Sequence, residues 1–175
     1  GAAGESVIAE HLGEPWQIAI FLAAFAGLLW LADRRPERKT MDEVGLWGAF
    51  GMGCAQALAL MPGVSRSGIT ITAARFLGLT RDAAARLSFL LLVPIVLGAV
   101  LLKGVTDVLL GDLPAGWAGP FVVGTLAAAG TGLLAIQGLL GYVQRHDYTV
   151  FVVYRLIVAA IVVLLIASGV RDATF

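Results

Sequence analysis

Residues 61–68 of this 175-residue chain read MPGVSRSG, and a short apolar segment lies on either side of them. The preceding segment, residues 44–60, is rich in glycine, and the following one, residues 69–79, is shorter still. A helix needs about 20 apolar residues to cross the hydrocarbon core, whereas runs of about 10 to 14 are typical of re-entrant or buried pieces. Because proline and glycine mark turns, residues 44–79 are predicted to form a re-entrant helix-turn-helix hairpin.

The composition places the rest of the chain in a membrane as well. Hydrophobic residues make up 59% of the chain and charged residues 14%, whereas a typical soluble domain has roughly 25% charged residues. Residues 1–15 are predicted to be an extramembrane segment, and residues 16–175 a single membrane domain. The expected fold is an all-α polytopic membrane protein. Its four predicted membrane-spanning helices cover residues 16–32, 87–102, 117–143 and 148–170.

The charge and the first residues exclude two further classes. The formal net charge is zero, so no basic surface indicates binding to nucleic acid. The first residues do not resemble a signal peptide, because acidic side chains stand where basic ones are expected. The sequence also does not begin with methionine. We expect the true beginning of the protein to lie upstream.

The positions of basic residues predict the orientation of the helices. Residues 33–39 form a strongly basic loop, which predicts a cytoplasmic location because cytoplasmic loops are enriched in Lys and Arg. If the hairpin enters and leaves on that same side, Arg81 and Arg86 are cytoplasmic too. Residues 103–116 then face outward and Arg145 returns to the cytoplasm. A hairpin that crossed the membrane completely would place Arg81 and Arg86 on the wrong side.

Arg66 is the most informative residue of the hairpin. An arginine at membrane depth costs at least about 2.5 to 3.5 kcal/mol, and irregular backbone survives there only when it is buried in protein or lines a water-filled cavity. Ser65, Ser67 and Thr70 add hydroxyl groups to the same turn. The helix that follows is expected to begin near Ile69, with its free N–H groups and positive dipole end directed at the turn. The chemistry of these groups best matches a phosphate.

A structural alternative remains open for each of the buried arginines. Arg66 could neutralise an acidic residue of another segment and only hold helices together. Arg75 and Arg155 are predicted to snorkel toward the cytoplasmic interface, as long basic side chains near helix ends do.

Residues 56–70, which read QALALMPGVSRSGIT, resemble the second signature of the bacterial undecaprenyl-diphosphate phosphatases, the bacitracin-resistance membrane phosphatases. Residues 87–94, LSFLLLVP, also resemble the pattern of that family, and the similarity extends from residue 16 to the end. The resemblance implies the second half of an inverted-repeat fold in which two re-entrant hairpins approach each other. It also implies a bacterial inner-membrane enzyme whose active site faces the periplasm. Such an enzyme hydrolyses undecaprenyl diphosphate and so recycles the lipid carrier of peptidoglycan synthesis.

The resemblance further implies roles for individual residues. Ser65, Arg66 and Thr70 are expected to act in catalysis and to hold the diphosphate. Gln56, Ser67 and Gly68 are expected to contribute to the same binding site. The family implies a divalent cation, Mg²⁺ or Ca²⁺, although no ligand set for it is visible in this sequence. A homo-oligomer remains open.

The first signature of the family, which supplies an acidic pair and a histidine, has no counterpart in this sequence. Glu10 and Glu14 have a matching spacing, but such short spacings recur by chance. His146 is expected to lie on the surface beside two charged residues. We therefore expect the 175 residues alone to be inactive and the parent protein to be active. A lipid-carrier transporter or flippase, and a non-catalytic assembly subunit, remain as alternatives.

Overall fold

The computed structural model of the protein describes residues 13–104, 106 and 116–169. Within them the chain forms helices and no strand. Short 3-10 helices at Met41–Glu43 and Leu58–Leu60 supplement the α-helices. Most of the predicted extramembrane segment, most of the loop at residues 103–116, and residue 170 lie outside the described residues. The six α-helices of the described residues are α1 Pro15–Asp33, α2 Leu46–Ala57, α3 Arg66–Phe76, α4 Arg81–Lys103, α5 Ala118–Val143 and α6 Thr149–Ala167.

Four of these helices, α1, α4, α5 and α6, are long and apolar enough to cross a membrane. The predicted class, an all-helical polytopic membrane protein, is confirmed. One boundary differs clearly from the prediction, because α4 begins at Arg81 rather than at residue 87. The hydroxyl of Thr80 caps this helix by accepting a hydrogen bond from the Ala83 N–H at 3.2 Å. The polar first turns of α4 are therefore helical although they lie outside the apolar stretch.

Helices α2 and α3 form a hairpin whose two ends lie side by side. The N–H of Lys39 donates to the carbonyl of Gly78 at 3.0 Å, and the N–H of Thr80 donates to the carbonyl of Lys39 at 3.0 Å. These bonds join the backbone that enters the hairpin to the backbone that leaves it. A re-entrant hairpin requires this geometry, but the placement of the hairpin inside the membrane stays a prediction.

The helices pack around α1 and α3. Helix α1 lies mainly against α6 and also contacts α3, and α3 lies between α2 and α4. Helix α5 packs mainly against α4 and leaves large apolar side chains exposed, among them Leu126 and Leu134. Exposed apolar surface on this scale is unusual in a soluble monomer, and it is the expected outer surface of a membrane helix.

Asp33, the last residue of α1, joins three other helices at one end of the molecule. Its Oδ1 atom lies 2.8 Å from Nε of Arg81 and 3.5 Å from Nε of Arg75. Its Oδ2 atom accepts a hydrogen bond from the N–H of Tyr148 at 3.0 Å, just before α6 begins. A single carboxylate therefore fixes the ends of α3, α4 and α6 against α1.

Arg75 is fully buried in this cluster, with 0% of its surface exposed. Its Nη2 atom donates to the carbonyl of Asp33 at 2.9 Å and to that of Arg35 at 2.7 Å, and its Nη1 atom donates to the carbonyl of Leu79. The side chain reaches residues 33–37, in the loop predicted to be cytoplasmic, but it is buried there and not exposed to water. The free carbonyls at the end of α1 bind this side chain instead, as helix C-termini commonly bind arginine.

The turn between α2 and α3 depends on Gly63, and replacing it with alanine is expected to destabilise the protein. Gly63 has a φ of +87°, and a Cβ there would lie 2.8 Å from the carbonyl oxygen of Ile18. The left-handed backbone alone costs about 1 to 2 kcal/mol for a side chain, and the collision with α1 backbone adds to it. The measurement is the thermal unfolding midpoint in detergent.

Gly78→Ala is the matched control, because Gly78 has the same φ of +87° but its nearest neighbour, Cβ of Arg38, would be 4.0 Å away. It should carry the backbone cost without the collision. Equal shifts in the two midpoints would show that the contact between the turn and α1 is unimportant.

Candidate anion-binding site

Helix α3 begins at Arg66, about one turn earlier than the predicted start near Ile69. Ser65 is its N-cap residue, with extended backbone at φ −70° and ψ 125°, and its Oγ atom accepts a hydrogen bond from the Gly68 N–H at 3.3 Å. Serine is among the strongest N-cap residues because its hydroxyl satisfies one of the free N–H groups. Arg66 therefore lies in the first helical turn, not in the irregular turn before it.

The N-terminus of α3 lies well inside the helical assembly. Arg75 is at the Asp33 end of the molecule, and Arg66 is nine positions before it, which corresponds to roughly 14 Å along the helix. The hydrocarbon core of a bilayer is about 30 Å thick. If α1 spans the bilayer, the first turn of α3 lies near the middle of it.

Two predicted site residues carry buried polar atoms without a hydrogen-bond partner among the described residues. These atoms are Nε of Arg66 and Oε1 of Gln56. No described carboxylate lies within ion-pair distance of Arg66. Buried polar groups are satisfied in the large majority of cases. The unsatisfied guanidinium nitrogen at a helix N-terminus is therefore the clearest indication of a ligand.

Thr70, in contrast, has its hydroxyl directed into the protein. It is 1% exposed, donates to the carbonyl of Arg66 at 3.0 Å, and lies 2.7 Å from the hydroxyl of Ser88 on α4. In this arrangement Thr70 holds the first turn of α3 in place, and a direct contact with phosphate stays a prediction. Ser88 was missed by the sequence reasoning, although a serine within the apolar stretch at residues 87–94 was the available signal.

Ser67 and Gly68 present different surfaces of the same turn. The side chain of Ser67 is exposed, and its Oγ atom lies 3.4 Å from Oγ of Ser65. Gly68 is buried against Arg155 of α6, because a Cβ at Gly68 would lie 2.8 Å from Cζ of that arginine. The structure thus places five of the six predicted site residues at the N-cap and in the first one and a half turns of α3. The sixth, Gln56, belongs to α2, which packs on α3.

Arg155 was predicted to snorkel, and this prediction is wrong. Its guanidinium lies against Gly68 and lines a small, partly open cavity of about 60 Å³ together with Leu29, Leu139 and Phe151. The cavity has room for about two water molecules, so a lipid diphosphate would have to bind at the open face beside Ser67.

The donors at this turn do not fit a divalent cation. They are guanidinium groups, hydroxyls and backbone N–H groups, whereas Mg²⁺ and Ca²⁺ require oxygen ligands, mostly carboxylates. Among the residues that the structure describes, no group of three or more His, Cys, Asp or Glu side chains could hold a metal ion. His146 is exposed and stacks on Tyr142 at 4.5 Å between ring centroids, so it lies on the surface as predicted.

Four helices are able to cross a bilayer, and at the N-terminus of a fifth lies an arginine that has no ion-pair partner among the described residues. These features define a polytopic membrane protein with donors suited to an anion. The family model described as Bacitracin resistance protein BacA matches residues 1–161. The chain belongs to this family. The resemblance predicted from residues 56–70 and 87–94 is thereby confirmed.

Relatives named undecaprenyl-diphosphatase are similar to most of this chain. The protein from Geobacter sulfurreducens is 53% identical over 80% of this chain and 52% of its own length. The protein from Elusimicrobium minutum is 47% identical over 86% of this chain and 56% of its own length. The protein from Nocardioides sp. is 42% identical over 99% of this chain and 63% of its own length. The chain therefore spans a little over half the length of the curated relatives that it matches.

Proposed function

We propose that the protein with its native upstream sequence, called the extended protein below, hydrolyses undecaprenyl diphosphate to undecaprenyl phosphate and phosphate. The present chain supplies the part of the active site that binds the diphosphate. The observation that carries this proposal is the buried Nε atom of Arg66 at the N-terminus of α3, for which the described part of the chain offers no hydrogen-bond partner. The names of the relatives support the choice of substrate.

The reaction transfers the terminal phosphoryl group to water. The oxygen of water bonds to the terminal phosphorus and gives up a proton to the group that activates it. The anhydride P–O bond breaks, and undecaprenyl phosphate leaves with the electron pair of that bond. Catalysis of phosphoryl transfer rests mostly on positioning and charge stabilisation. Arg66 and the N–H groups of the first turn of α3 supply these by donating to phosphoryl oxygens.

The other predicted residues have supporting roles in this proposal. Ser65 caps α3 and keeps its own hydroxyl hydrogen available for the substrate, and exposed Ser67 donates beside it. Gln56 offers a second unsatisfied polar group from α2. Thr70 positions the turn through Ser88. The group that activates water, and any Mg²⁺ or Ca²⁺, would come from residues outside those described.

The orientation is part of the proposal. The basic residues between α1 and α2 would lie on the cytoplasmic side of a bacterial inner membrane. The hairpin formed by α2 and α3 would then enter the bilayer from the cytoplasm. Its turn would meet a substrate that reaches the site from the periplasmic side.

Phosphate release from undecaprenyl diphosphate in detergent tests the proposal. The extended protein is expected to release phosphate, and the 175-residue chain is expected to release none, because a binding site alone does not activate water. If the isolated chain released phosphate and Arg66→Ala abolished this release, the proposal that the chain binds the diphosphate but cannot activate water would be contradicted. No release by the extended protein would favour a transporter, whose broken helices resemble this hairpin, or an assembly subunit. Lipid movement across vesicles would separate these two.

A further inference from the structure

Arg155 of α6 places a second guanidinium at the N-terminus of α3. A Cβ at Gly68 would lie 2.8 Å from Cζ and 2.5 Å from Nη1 of Arg155. No hydrogen bond or ion pair joins Arg155 to any residue that the structure describes. Charged side chains inside membrane segments normally pair or mark a functional path. The partner of Arg155 therefore has to be sought outside the described residues.

The contact between Arg155 and Gly68 follows from the register of the helices. The carboxylate of Asp33 accepts from the N–H of Tyr148 at 3.0 Å and lies 3.5 Å from Nε of Arg75. Arg155 follows Tyr148 by seven positions, and Gly68 precedes Arg75 by seven, so each lies roughly 10 Å along its helix from this carboxylate. Two antiparallel helices fixed at one end thus bring both residues to the same depth.

The resulting charge distribution is unbalanced without a bound anion. Arg66 and Gly68 are two positions apart and do not share a helix face, so Arg66 and Arg155 approach the first turn from different sides. A helix N-terminus carries a partial positive charge, and cations are favoured at the other end. Two guanidinium groups at this N-terminus therefore repel each other, and both are repelled by the positive end of the helix dipole. The buried Nε of Arg66 has no hydrogen-bond partner in the described ranges, which is an independent sign of a missing acceptor.

We propose that Arg155 is a second guanidinium contact for the lipid diphosphate and that it makes the site prefer a diphosphate to a monophosphate. This inference rests on the proposed function. A monophosphate can be bound by Arg66 and the helix N-terminus alone. A diphosphate has more charge and more acceptor oxygens over a greater length, and two guanidinium forks approaching from different sides can bind it together. Gly68 is needed because any side chain there would displace Arg155.

If Arg155 has a different partner, its variants should show a different pattern of stability and lipid binding. If Arg155 pairs with a carboxylate of an upstream segment, removing its charge lowers stability and weakens binding of both lipids equally. Selectivity between diphosphate and monophosphate therefore distinguishes substrate contact from a structural ion pair.

The test uses the extended protein in nanodiscs and measures equilibrium binding of undecaprenyl diphosphate and undecaprenyl phosphate, with phosphate release in parallel. Arg155→Gln is expected to weaken diphosphate binding at least about tenfold while changing monophosphate binding little. Arg155→Lys keeps the charge but loses the fork, so it should fall between wild type and Arg155→Gln. Gly68→Ala changes the other helix, but it should weaken diphosphate binding in the same way as Arg155→Gln because the added Cβ displaces Arg155. Arg86→Gln, which removes an exposed arginine paired with Asp82, is the control.

The outcomes separate this inference from the proposed function. In the first case, wild type binds the diphosphate more tightly than the monophosphate, the Arg155 variants lose this preference, and no phosphate is released. The hydrolase proposal then fails and the present inference stands. If wild type releases phosphate and the variants keep the preference, the inference is overturned and the hydrolase proposal stands. Wild type without any preference also overturns it. If the Arg155 variants do not fold, Gly68→Ala decides on the same criterion.

Discussion

Replacing Arg66 with alanine is expected to lower phosphate release by the extended protein at least about a hundredfold, the loss seen when one preorganised donor to a developing negative charge is removed. The guanidinium lies at a helix N-terminus and has a buried Nε atom without a partner in the described part of the chain. This Nε atom is therefore already removed from water before substrate arrives, although Arg66 as a whole is partly exposed. Its interaction with a phosphoryl oxygen should be correspondingly strong. Release of phosphate per unit of folded protein is the measurement.

Arg66→Lys separates phosphate binding from a structural role. Lysine keeps the charge but loses the planar pair of donors that matches phosphate, so most of the activity should be lost. If Arg66 only neutralised a carboxylate, lysine would be tolerated. Arg86→Lys is the matched control, because Arg86 is an exposed arginine 2.7 Å from Asp82 within the same chain. Retention of activity by both lysine variants would refute the assignment of Arg66 to the diphosphate.

Replacing Asp33 with alanine is expected to lower the free energy of unfolding by about 3 to 5 kcal/mol, the cost of breaking a buried ion pair by removing one partner. Asp33 is 7% exposed and Arg75 is fully buried, so the arginine would be left with only the partly exposed carboxylate of Glu37, 3.6 Å from its Nη1 atom, as a counterion. The variant also loses the contact with Arg81 and the cap of the Tyr148 N–H. Chemical denaturation of the extended protein in micelles, followed by circular dichroism, measures the change.

Asp82→Ala provides the comparison for this loss. Asp82 pairs with Arg86 at 2.7 Å, but the side chains are 32% and 47% exposed respectively. Exposed pairs contribute about 0 to 1 kcal/mol, so Asp82→Ala should change stability far less than Asp33→Ala. Similar losses for the two variants would show that the cluster around Asp33 is not the main connection between the helix ends.

These two substitutions affect different properties of the same site. Arg66→Ala should leave the fold intact, because no described residue depends on its side chain. Asp33→Ala should disturb the site from a distance, because Asp33 sets the register that brings Arg155 to Gly68. A protein with Asp33→Ala that remains folded should therefore also bind the diphosphate more weakly.

The sequence alone determined the class of fold and the hairpin turn, and it singled out Arg66 as the candidate ligand for the anion. Apolar length identifies membrane helices because the cost of transferring each residue into lipid is mostly a local property. The turn could be located for a similar reason, since proline and glycine act on their own backbone. The start of α3 was missed by about one turn because Ser65, read as a ligand for phosphate, also serves as the helix cap.

Only the tertiary structure decided which polar side chains meet. Arg75 and Arg155 look alike in the sequence, since each is an arginine among mostly apolar neighbours. The structure encloses the first in carbonyls and carboxylates, whereas the second faces Gly68 without a hydrogen-bond partner among the described residues. Likewise Thr70 and Ser88 lie on different helices and become neighbours at 2.7 Å. Such contacts depend on the rotation and register of whole helices. Here these are fixed by packing and by the carboxylate of Asp33, which no local pattern of residues encodes.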